Sequence, residues 1–275
     1  MPQINVMLNG LPGNVSSVIA TGIAQNKAFR LLPWSFTGPE ITAKTCQIAD
    51  VAVNLVLPQD RDAALAKIRA EYGQFLTVDF THPSAVNANA AYYCQNGLPF
   101  AMGTTGGDRA QLTALVEASD ICAVIAPNMA KQIVALQAMF DYAAQNFPGV
   151  FSEYDLRVRE THQQGKADTS GTARAIVGLL NKLGLDYDVE QIEMERDPQK
   201  QKDEWGVPDE YLSGHAWHTY TLTAKDGNSL FEFKHNINGR GIYIEGTLDA
   251  LRFLDKKIAA GEKGKVFSMI DVMRG

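Results

Sequence analysis

The chain reads as an α/β protein, a Rossmann-like doubly wound parallel sheet followed by a second, α+β domain on an open mixed sheet. Three observations predict this. Short apolar runs alternate with helical patterns up to about residue 128, and the first run passes through a glycine turn into a helix. Beyond that point longer strand-like runs appear, two of them flanking a hairpin signal.

In chain order the apolar runs are Ile4 to Leu8, Leu31 to Phe36, Val51 to Leu57, Leu76 to Phe80, Phe100 to Met102 and Ile121 to Ile125. The stretches between them have room for helices, and strand–helix–strand units make strands parallel with helices on both faces. Such sheets bind ligands beyond the carboxyl ends of their strands. The residues expected there are Asn9-Gly10, Ser35 to Gly38, Asp79 to Pro83, Gly103-Thr104-Thr105-Gly106 and Ala126-Pro127-Asn128.

After Asn128 the pattern changes. A helical stretch from about Lys131 to Asn146 precedes a strand at Tyr154 to Glu160 and a helix ending near Gly184. Strand-like runs follow at Gln191 to Glu195, Trp217 to Ala224 and Leu230 to Asn236. Asp226-Gly227 between the last two is a hairpin signal, because both residues tolerate positive φ. Asp197 to Leu212, rich in charge, Pro and Gly, reads as one long exposed loop. Leu248, Leu251, Phe253, Leu254 and Ile258 repeat at helical spacing and predict a helix ending near Gly261.

At 275 residues, 45% hydrophobic and 20% charged, the chain can bury two modest cores. Its net charge of -6 argues against a polyanion-binding surface, so neither nucleic acid nor membrane is an expected partner. Cys46, Cys94 and Cys122 are odd in number and lack Cys-x-x-Cys spacing, so no disulfide framework and no metal site is expected, and a reducing cytoplasm fits. The N-terminus runs into strand-like sequence without a basic leader, so no targeting segment is expected.

The first strand leads into Gly10-Leu11-Pro12-Gly13-Asn14-Val15-Ser16, two glycines where dinucleotide folds use three. Gly10 and Gly13 would supply the tight turn and the close backbone approach to pyrophosphate, with Asn14 and Val15 in the same turn and Ser16 beginning the helix whose amides face it. The plainer alternative is an ordinary Gly-Pro turn. An acid at the end of the second strand would favour NAD by holding the ribose hydroxyls. Leu32 to Gly38 contains none, with Glu40 a little beyond and Arg30 a little before. NADPH is therefore the expected cofactor, with NADH possible and Ser35 and Thr37 as phosphate contacts. Alternatively, Ser35 and Thr37 only form a turn.

The most informative stretch runs from Glu160 to Ala173, Glu-Thr-His-Gln-Gln-Gly-Lys-Ala-Asp-Thr-Ser-Gly-Thr-Ala. It lines up an imidazole at His162, a fixed cation at Lys166 and a helix start at Ser170-Gly171-Thr172, followed by the apolar helical run Ala175, Ile176, Val177, Leu179 and Leu180. Helix N-termini favour carboxylate or phosphate, and Gly171 has no side chain to block one. An ordinary N-cap is the simpler reading of the same residues.

The whole segment resembles the signature of the dihydrodipicolinate reductase family, in the form His-Gln-x-Gly-Lys-x-Asp-Thr-Ser-Gly-Thr of its plant and cyanobacterial branch. Asp79-Phe80-Thr81-His82-Pro83, Gly103-Thr104-Thr105-Gly106 and Ala126-Pro127-Asn128-Met129 resemble the same family, and the likeness spans most of the chain. It implies NAD(P)H-dependent reduction of dehydrated 4-hydroxy-tetrahydrodipicolinate to tetrahydrodipicolinate, in lysine and diaminopimelate synthesis. It further implies that the C-terminal segment returns to the first domain. The expected domains are thus 1–128 with 245–275 for the dinucleotide, and an inserted 129–244 for substrate and oligomerisation.

The resemblance also implies roles. His162 donates or accepts a proton, and Lys166 donates one and attracts a carboxylate. Ser170, Gly171 and Thr172 bind a carboxylate, while Gln163 stands where many bacterial members carry a His. Arg240, five residues after His235, resembles a basic position used for substrate, or is a surface ion-pair residue. Asp79, Phe80, Thr81, Gly103, Thr104, Thr105 and the Ala126, Pro127, Asn128, Met129 hinge approach the nicotinamide. Lys131 is either a second cation for substrate or a solvated first-turn lysine. The expected partners are a small dicarboxylate and other copies of the chain, as a dimer or tetramer through the second-domain sheet. The competing readings are another two-domain dehydrogenase of an amino acid or sugar, and a non-catalytic NADP-binding regulator.

Overall fold

The computed structural model describes residues 3–275. The chain forms two compact units, one running through Lys131 and resuming over Tyr243–Gly275, the other spanning Gln132–Ile242.

In the first unit, β1 (Ile4–Asn9) leads into α1 (Asn14–Gln25), which buries Ser16, Ile19, Ala20 and Ile23 at helical spacing. The single strand expected over Leu31 to Phe36 is instead two, β2 (Phe29–Leu31) and β3 (Trp34–Phe36). Pro33, between them, has no N–H to give a ladder. Past it the chain leaves the main sheet, and β3 pairs with β5 (Val51–Val56), which also pairs with β4 (Thr45–Ile48), a strand absent from the sequence expectation.

The chain then alternates through α2 (Arg61–Tyr72), β6 (Leu76–Asp79), α3 (Val86–Gln95), β7 (Phe100–Met102), α4 (Arg109–Glu117) and β8 (Cys122–Ile125). Tyr93, Phe100, Met7, Ile68 and Leu112 are fully buried in the core formed by α2, α3, α4 and one sheet face. Each such side chain contributes about 1.5–3 kcal/mol through burial.

The second unit takes in α5 (Lys131–Asn146), β9 (Tyr154–His162), α6 (Gly171–Lys182), β10 (Glu193–Glu195), α7 (Pro198–Asp203), β11 (His215–Ala224) and β12 (Leu230–Asn238). Its sheet runs β10-β9-β11-β12, with β10 parallel to β9 and the other pairs antiparallel. Phe140 of α5 and Ile176, Val177 and Leu180 of α6 pack with Val158, Tyr220 and Leu222 of the strands. The long loop expected over Asp197 to Leu212 contains a helix, because Asp197 accepts from Gln199 N and Lys200 N and Pro198 opens α7. Gln201 on that helix is fully buried.

The chain closes the first unit with α8 (Ile242–Ala259), β13 (Lys265–Phe267) and α9 (Met269–Arg274). The sequence reading contained neither of the last two. β13 completes an all-parallel sheet of order β13-β8-β7-β6-β1-β2. A methyl on Gly22 of α1 would come within 2.4 Å of Ile244 of α8, so these helices meet closely.

Candidate active site

Asn9, Asp79, Met102 and Ile125 lie in register across β1, β6, β7 and β8, each the last residue of its strand. The turns expected to meet a nucleotide therefore emerge along one edge. At the first, Gly10 has φ 100, and a methyl on it would sit 2.2 Å from Phe80 O, so the turn admits only glycine. Gly13 caps α1 without a side-chain bond, and the first helical bond is Ser17 N–H to Gly13 O at 2.9 Å. The amides of Asn14 and Val15 thus precede the helical ladder at an exposed helix start, which suits an anion. Ser16 Oγ donates to Gly10 O at 2.9 Å and fixes the turn.

Asp79 is fully buried and organises the neighbouring loops. Its Oδ1 accepts from Thr104 Oγ1 at 2.6 Å and Thr81 Oγ1 at 2.9 Å, and its Oδ2 from Tyr93 Oη at 2.7 Å and Asn89 Nδ2 at 3.0 Å. The side chains of Asp79, Thr81 and Thr104 are engaged with one another, so they hold the loops that carry Phe80, Gly103 and the exposed Thr105. The Phe80 ring packs closely against Gly103, where a methyl would fall 2.2 Å from it. At the end of β8, Ala126 and Met129 are buried, Pro127 is exposed, and Asn128 Oδ1 accepts from Ala130 N at 2.9 Å.

Three expectations are corrected here. Ser35 and Thr37 are not placed for a phosphate, because both are buried. Ser35 Oγ accepts from Leu11 N at 3.3 Å and Thr37 Oγ1 donates to Leu11 O at 2.8 Å, so they brace the glycine turn from behind. An acid does reach the end of β3, since the Glu40 carboxylate folds back to within 2.3 Å of where a Gly38 methyl would lie. Lys131 is neither a free substrate cation nor merely solvated, as its Nζ pairs with Asp249 at 2.5 Å and Glu245 at 3.6 Å.

In the second unit, the sheet face that packs against the helices begins apolar, with rows Leu156–Leu222–Phe231 and Val158–Tyr220–Phe233 across β9, β11 and β12. The next row is Glu160–His218–His235 and the last His162–Ala216–Ile237. The core thus turns titratable at one end. β9 runs two residues further than expected and carries His162 as its last residue.

Glu160 is fully buried at the centre of this end. Arg196 Nη2 donates to its Oε1 at 2.5 Å and Ser170 N to its Oε2 at 3.1 Å. His162 Nδ1 stands 3.5 Å from Oε1 and His218 Nε2 3.6 Å from Oε2. Burial alone would raise the Glu160 carboxyl, but His162, His218 and Arg196 together hold it far below the usual carboxylate range. One atom each from Glu160, His162 and His218 lie within 4.8 Å of one another, a spacing a cation could bridge. Arg196 already supplies the positive charge there.

The histidines divide sharply. His215 is satisfied, its Nε2 paired with Thr161 Oγ1 and its Nδ1 with Tyr211 O, both at 3.0 Å. His218 and His235 stack at 4.5 Å, and neither has a hydrogen bond on either ring nitrogen among the described residues. Burial pushes both down, His235 to about 3 with His218 and His162 adding to the effect. Tyr220 Oη beside them also lacks a partner among the described residues, and burial drives that phenol upward. Buried unpaired polar atoms are uncommon, and here they cluster.

Lys166 Nζ donates to Asp168 Oδ1 at 2.9 Å, in a loop whose Gln163 O accepts from Lys166 N at 3.0 Å. Ser170 caps α6, and the first ladder bond, Arg174 N to Ser170 O, leaves the amides of Gly171 and Thr172 outside the ladder. A methyl at Gly171 would meet nothing within 4 Å, so space opens beside those amides. Arg240 lies past β12 at the same end of the sheet, its guanidinium beside Gly214. His162, Gln163, Lys166, Ser170, Gly171, Thr172 and Arg240 thus gather at one end of this unit.

Glu160 opens the signature stretch without a role of its own in the sequence, and Arg196, Gln201, His218 and His235 carry none there either. Gln201 Nε2 donates to His162 O at 2.7 Å and pins the strand end. Two signals were present: Glu160 shares strand parity with His162, and His218 and His235 stand eight residues out on either side of Asp226-Gly227.

Two family models cover the chain, dihydrodipicolinate reductase N-terminus over residues 4–129 and C-terminus over 132–273. The chain is 43% identical over 271 residues to 4-hydroxy-tetrahydrodipicolinate reductase 2, chloroplastic, of Arabidopsis thaliana, covering 98% of this chain and 77% of that protein. It is 44% identical over 269 residues to a probable 4-hydroxy-tetrahydrodipicolinate reductase 1, chloroplastic, of Oryza sativa subsp. japonica, covering 98% and 78%. Among solved structures, a dipicolinate-bound dihydrodipicolinate reductase from Paenisporosarcina sp. TG-14 matches with a TM-score of 0.64 and 18% identity, over 98% of this chain and 99% of that one. This last likeness is one of fold.

Proposed function

The chain belongs to the dihydrodipicolinate reductase family of nicotinamide-dependent oxidoreductases, and from that premise we propose that it reduces dehydrated 4-hydroxy-tetrahydrodipicolinate to tetrahydrodipicolinate, using the end of β9 and the start of α6 to hold the substrate. The observation that carries the reading is the gathering of His162, Lys166 and the open amides of Gly171 and Thr172 at one end of one sheet. An imidazole, an ammonium and an anion cradle are the groups a reductase of a cyclic dicarboxylate needs.

The nucleotide belongs, in this reading, to residues 1–128 with 245–275, and the substrate and subunit contacts to residues 129–244. The glycine-only turn at Gly10 and the open start of α1 fit a pyrophosphate. When bound, the reduced nicotinamide supplies a hydride to one carbon of the substrate's unsaturated ring. The electron pair displaced into the ring must be met by one proton, which His162 or Lys166 delivers. Lys166, Arg240 and the amides of Gly171 and Thr172, with the Thr172 hydroxyl, hold the carboxylates, and Gln163 lines the same space. The rate gained by positioned acid catalysis is about two to four powers of ten.

NADPH is the proposed donor, with NADH as a second substrate. Exposed Thr42 and Lys44, in the loop after β3, suit a 2'-phosphate, whereas Glu40 in the same loop suits the bare ribose. Self-association is proposed through β12, whose outer edge pairs with no strand among the described residues and which exposes Leu230 and Phe231. A dimer or tetramer by sedimentation, lost on placing Lys at Phe231, tests this. The proposed compartment is the cytoplasm, consistent with three unpaired thiols, and is tested by fractionation.

The deciding experiment is steady-state oxidation of NADPH and NADH with enzymatically generated substrate. Wild-type protein should turn over, and His162→Gln should lose turnover while keeping NADPH affinity. Unchanged turnover in both His162→Gln and Lys166→Ala would refute the assignment.

A further inference from the structure

Glu160 has no part in the chemistry just assigned, yet it faces His162, meets the cap of α6 and reaches the Lys166 loop through Arg196. Its Oε1 accepts from Arg196, whose Nε also donates to Lys166 O at 2.8 Å, so one guanidinium ties the carboxylate to the lysine loop. Its Oε2 accepts from Ser170 N at 3.1 Å, at the cap of the helix whose amides form the cradle. Its Oε1 faces His162 Nδ1 at 3.5 Å. Nδ1 of that ring is buried and has no hydrogen-bond partner among the described residues, and His162 shows only 7% of its side chain to solvent.

Both oxygens receive N–H donors, and with His162, His218 and Arg196 holding the carboxyl far below its usual range Glu160 is an ionised acceptor with no proton to give. A carboxylate facing one ring nitrogen fixes which nitrogen carries the mobile proton, and hydrogen bonds at functional imidazoles often tighten only when substrate binds. We propose that Glu160 is the positioning residue of this site: it holds Nδ1–H of His162, so that Nε2 exchanges the proton with substrate, and through Arg196 it fixes the loop that presents Lys166. This rests on the reading of His162 as the proton-handling group.

The titratable groups around His162 are Glu160 on its own strand, His215 and His218 on β11 and His235 on β12, with Arg196, after β10, paired to Glu160. The two histidines stacked behind it are held neutral by burial, and His215 is fully hydrogen-bonded. Glu160 is the anion among them.

The test begins with the unaltered full-length protein carrying 15N-labelled histidine. The His162 signals, identified by their loss in His162→Gln, should show a protonated Nδ1. A neutral ring protonated on Nε2 with Nδ1 bare would overturn the proposal, and this result needs no variant at Glu160 to fold. Glu160→Gln should then lower kcat about 10- to 100-fold, the range for partners that orient a functional imidazole, with KM changed much less. The limb of its kcat–pH profile that marks loss of the donor proton should move to lower pH, and Glu160→Asp should restore part of the rate. A Glu160→Gln enzyme with wild-type kcat and pH profile would overturn the proposal while leaving the His162 assignment intact. Wild-type turnover by His162→Gln would remove both. A metal assay on the purified protein closes the remaining route, since stoichiometric zinc whose removal abolishes activity would make Glu160 a ligand and end the positioning role.

Discussion

Lys166 donates from Nζ to Asp168 Oδ1 at 2.9 Å within one loop, and that hydrogen bond holds the Asp168 carboxyl below its ordinary range. The proposed substrate carboxylate competes with Asp168 for the same ammonium. Asp168 is largely exposed, with 79% of its side chain accessible, so the pair is worth at most about 1 kcal/mol. Asp168→Asn should therefore lower KM for the dicarboxylate by up to about fivefold, with kcat close to wild type. Substrate saturation curves at low and moderate salt check this. A raised KM would mean instead that Asp168 holds Lys166 in its working position.

The start of α6 yields a second expectation. Gly171 and Thr172 amides lie outside the helical ladder beside open space, and Lys166 stands in the preceding loop. Planar pyridine-2,6-dicarboxylate should compete with substrate, and its binding should weaken as salt rises. Thr172→Val keeps the shape and removes one donor, which should weaken inhibition about 3- to 10-fold. Inhibition untouched by Thr172→Val and Lys166→Ala would place the carboxylate site elsewhere.

Stability should fall on the acid side for two reasons of the same sign. Glu160 is held far below its ordinary value, so its contribution is present above about pH 4.3 and is lost as pH falls further. His218 and His235 are held neutral, so the unfolded chain takes up their protons below about pH 6.5 while the folded chain resists, His235 to about 3. Unfolding free energy should thus decline from near pH 6.5 downward, by at most about 1.4 kcal/mol per pH unit for each histidine. His235→Phe keeps an aromatic ring against His218 and should flatten that slope between pH 6.5 and 4. Urea midpoints measured across this range decide it, and an unchanged slope would mean that His235 protonates freely in the folded chain.

The parallel sheet was legible because β1, β6, β7 and β8 are short apolar runs buried on both faces, which periodicity reveals directly. Pro33 also advertised a break, but whether a strand stops or changes sheets depends on pairing with β5, which no local signal encodes. The candidate site was legible where its residues adjoin in sequence, from His162 to Thr172. It was hidden where strand register brings residues together: Glu160, His218 and His235 form one row through pairing of β9, β11 and β12. Ser35 and Thr37 fail differently, since composition identifies hydroxyls at a strand end but not the Leu11 peptide that engages them.

The loop after β3 sets the last expectation. Glu40 presses its carboxylate against Gly38, just past the strand end where dinucleotide folds meet the adenosine ribose. There a carboxylate accepts from ribose hydroxyls and repels a 2'-phosphate, while Lys44, exposed in the same loop, attracts one. The two charges oppose each other, so the NADPH to NADH ratio should respond to each in opposite directions. Glu40→Gln should tighten NADPH and weaken NADH, raising the affinity ratio about tenfold, which corresponds to roughly 1.4 kcal/mol. Lys44→Gln should weaken NADPH alone, and more at low salt than at high, because an exposed charge is screened. Fluorescence titration of both cofactors against the wild type and the two variants provides the measurement. If Glu40→Gln leaves the ratio where it was, the carboxylate does not face the ribose, and the discrimination rests on Thr42, Lys44 or the backbone amides of that loop.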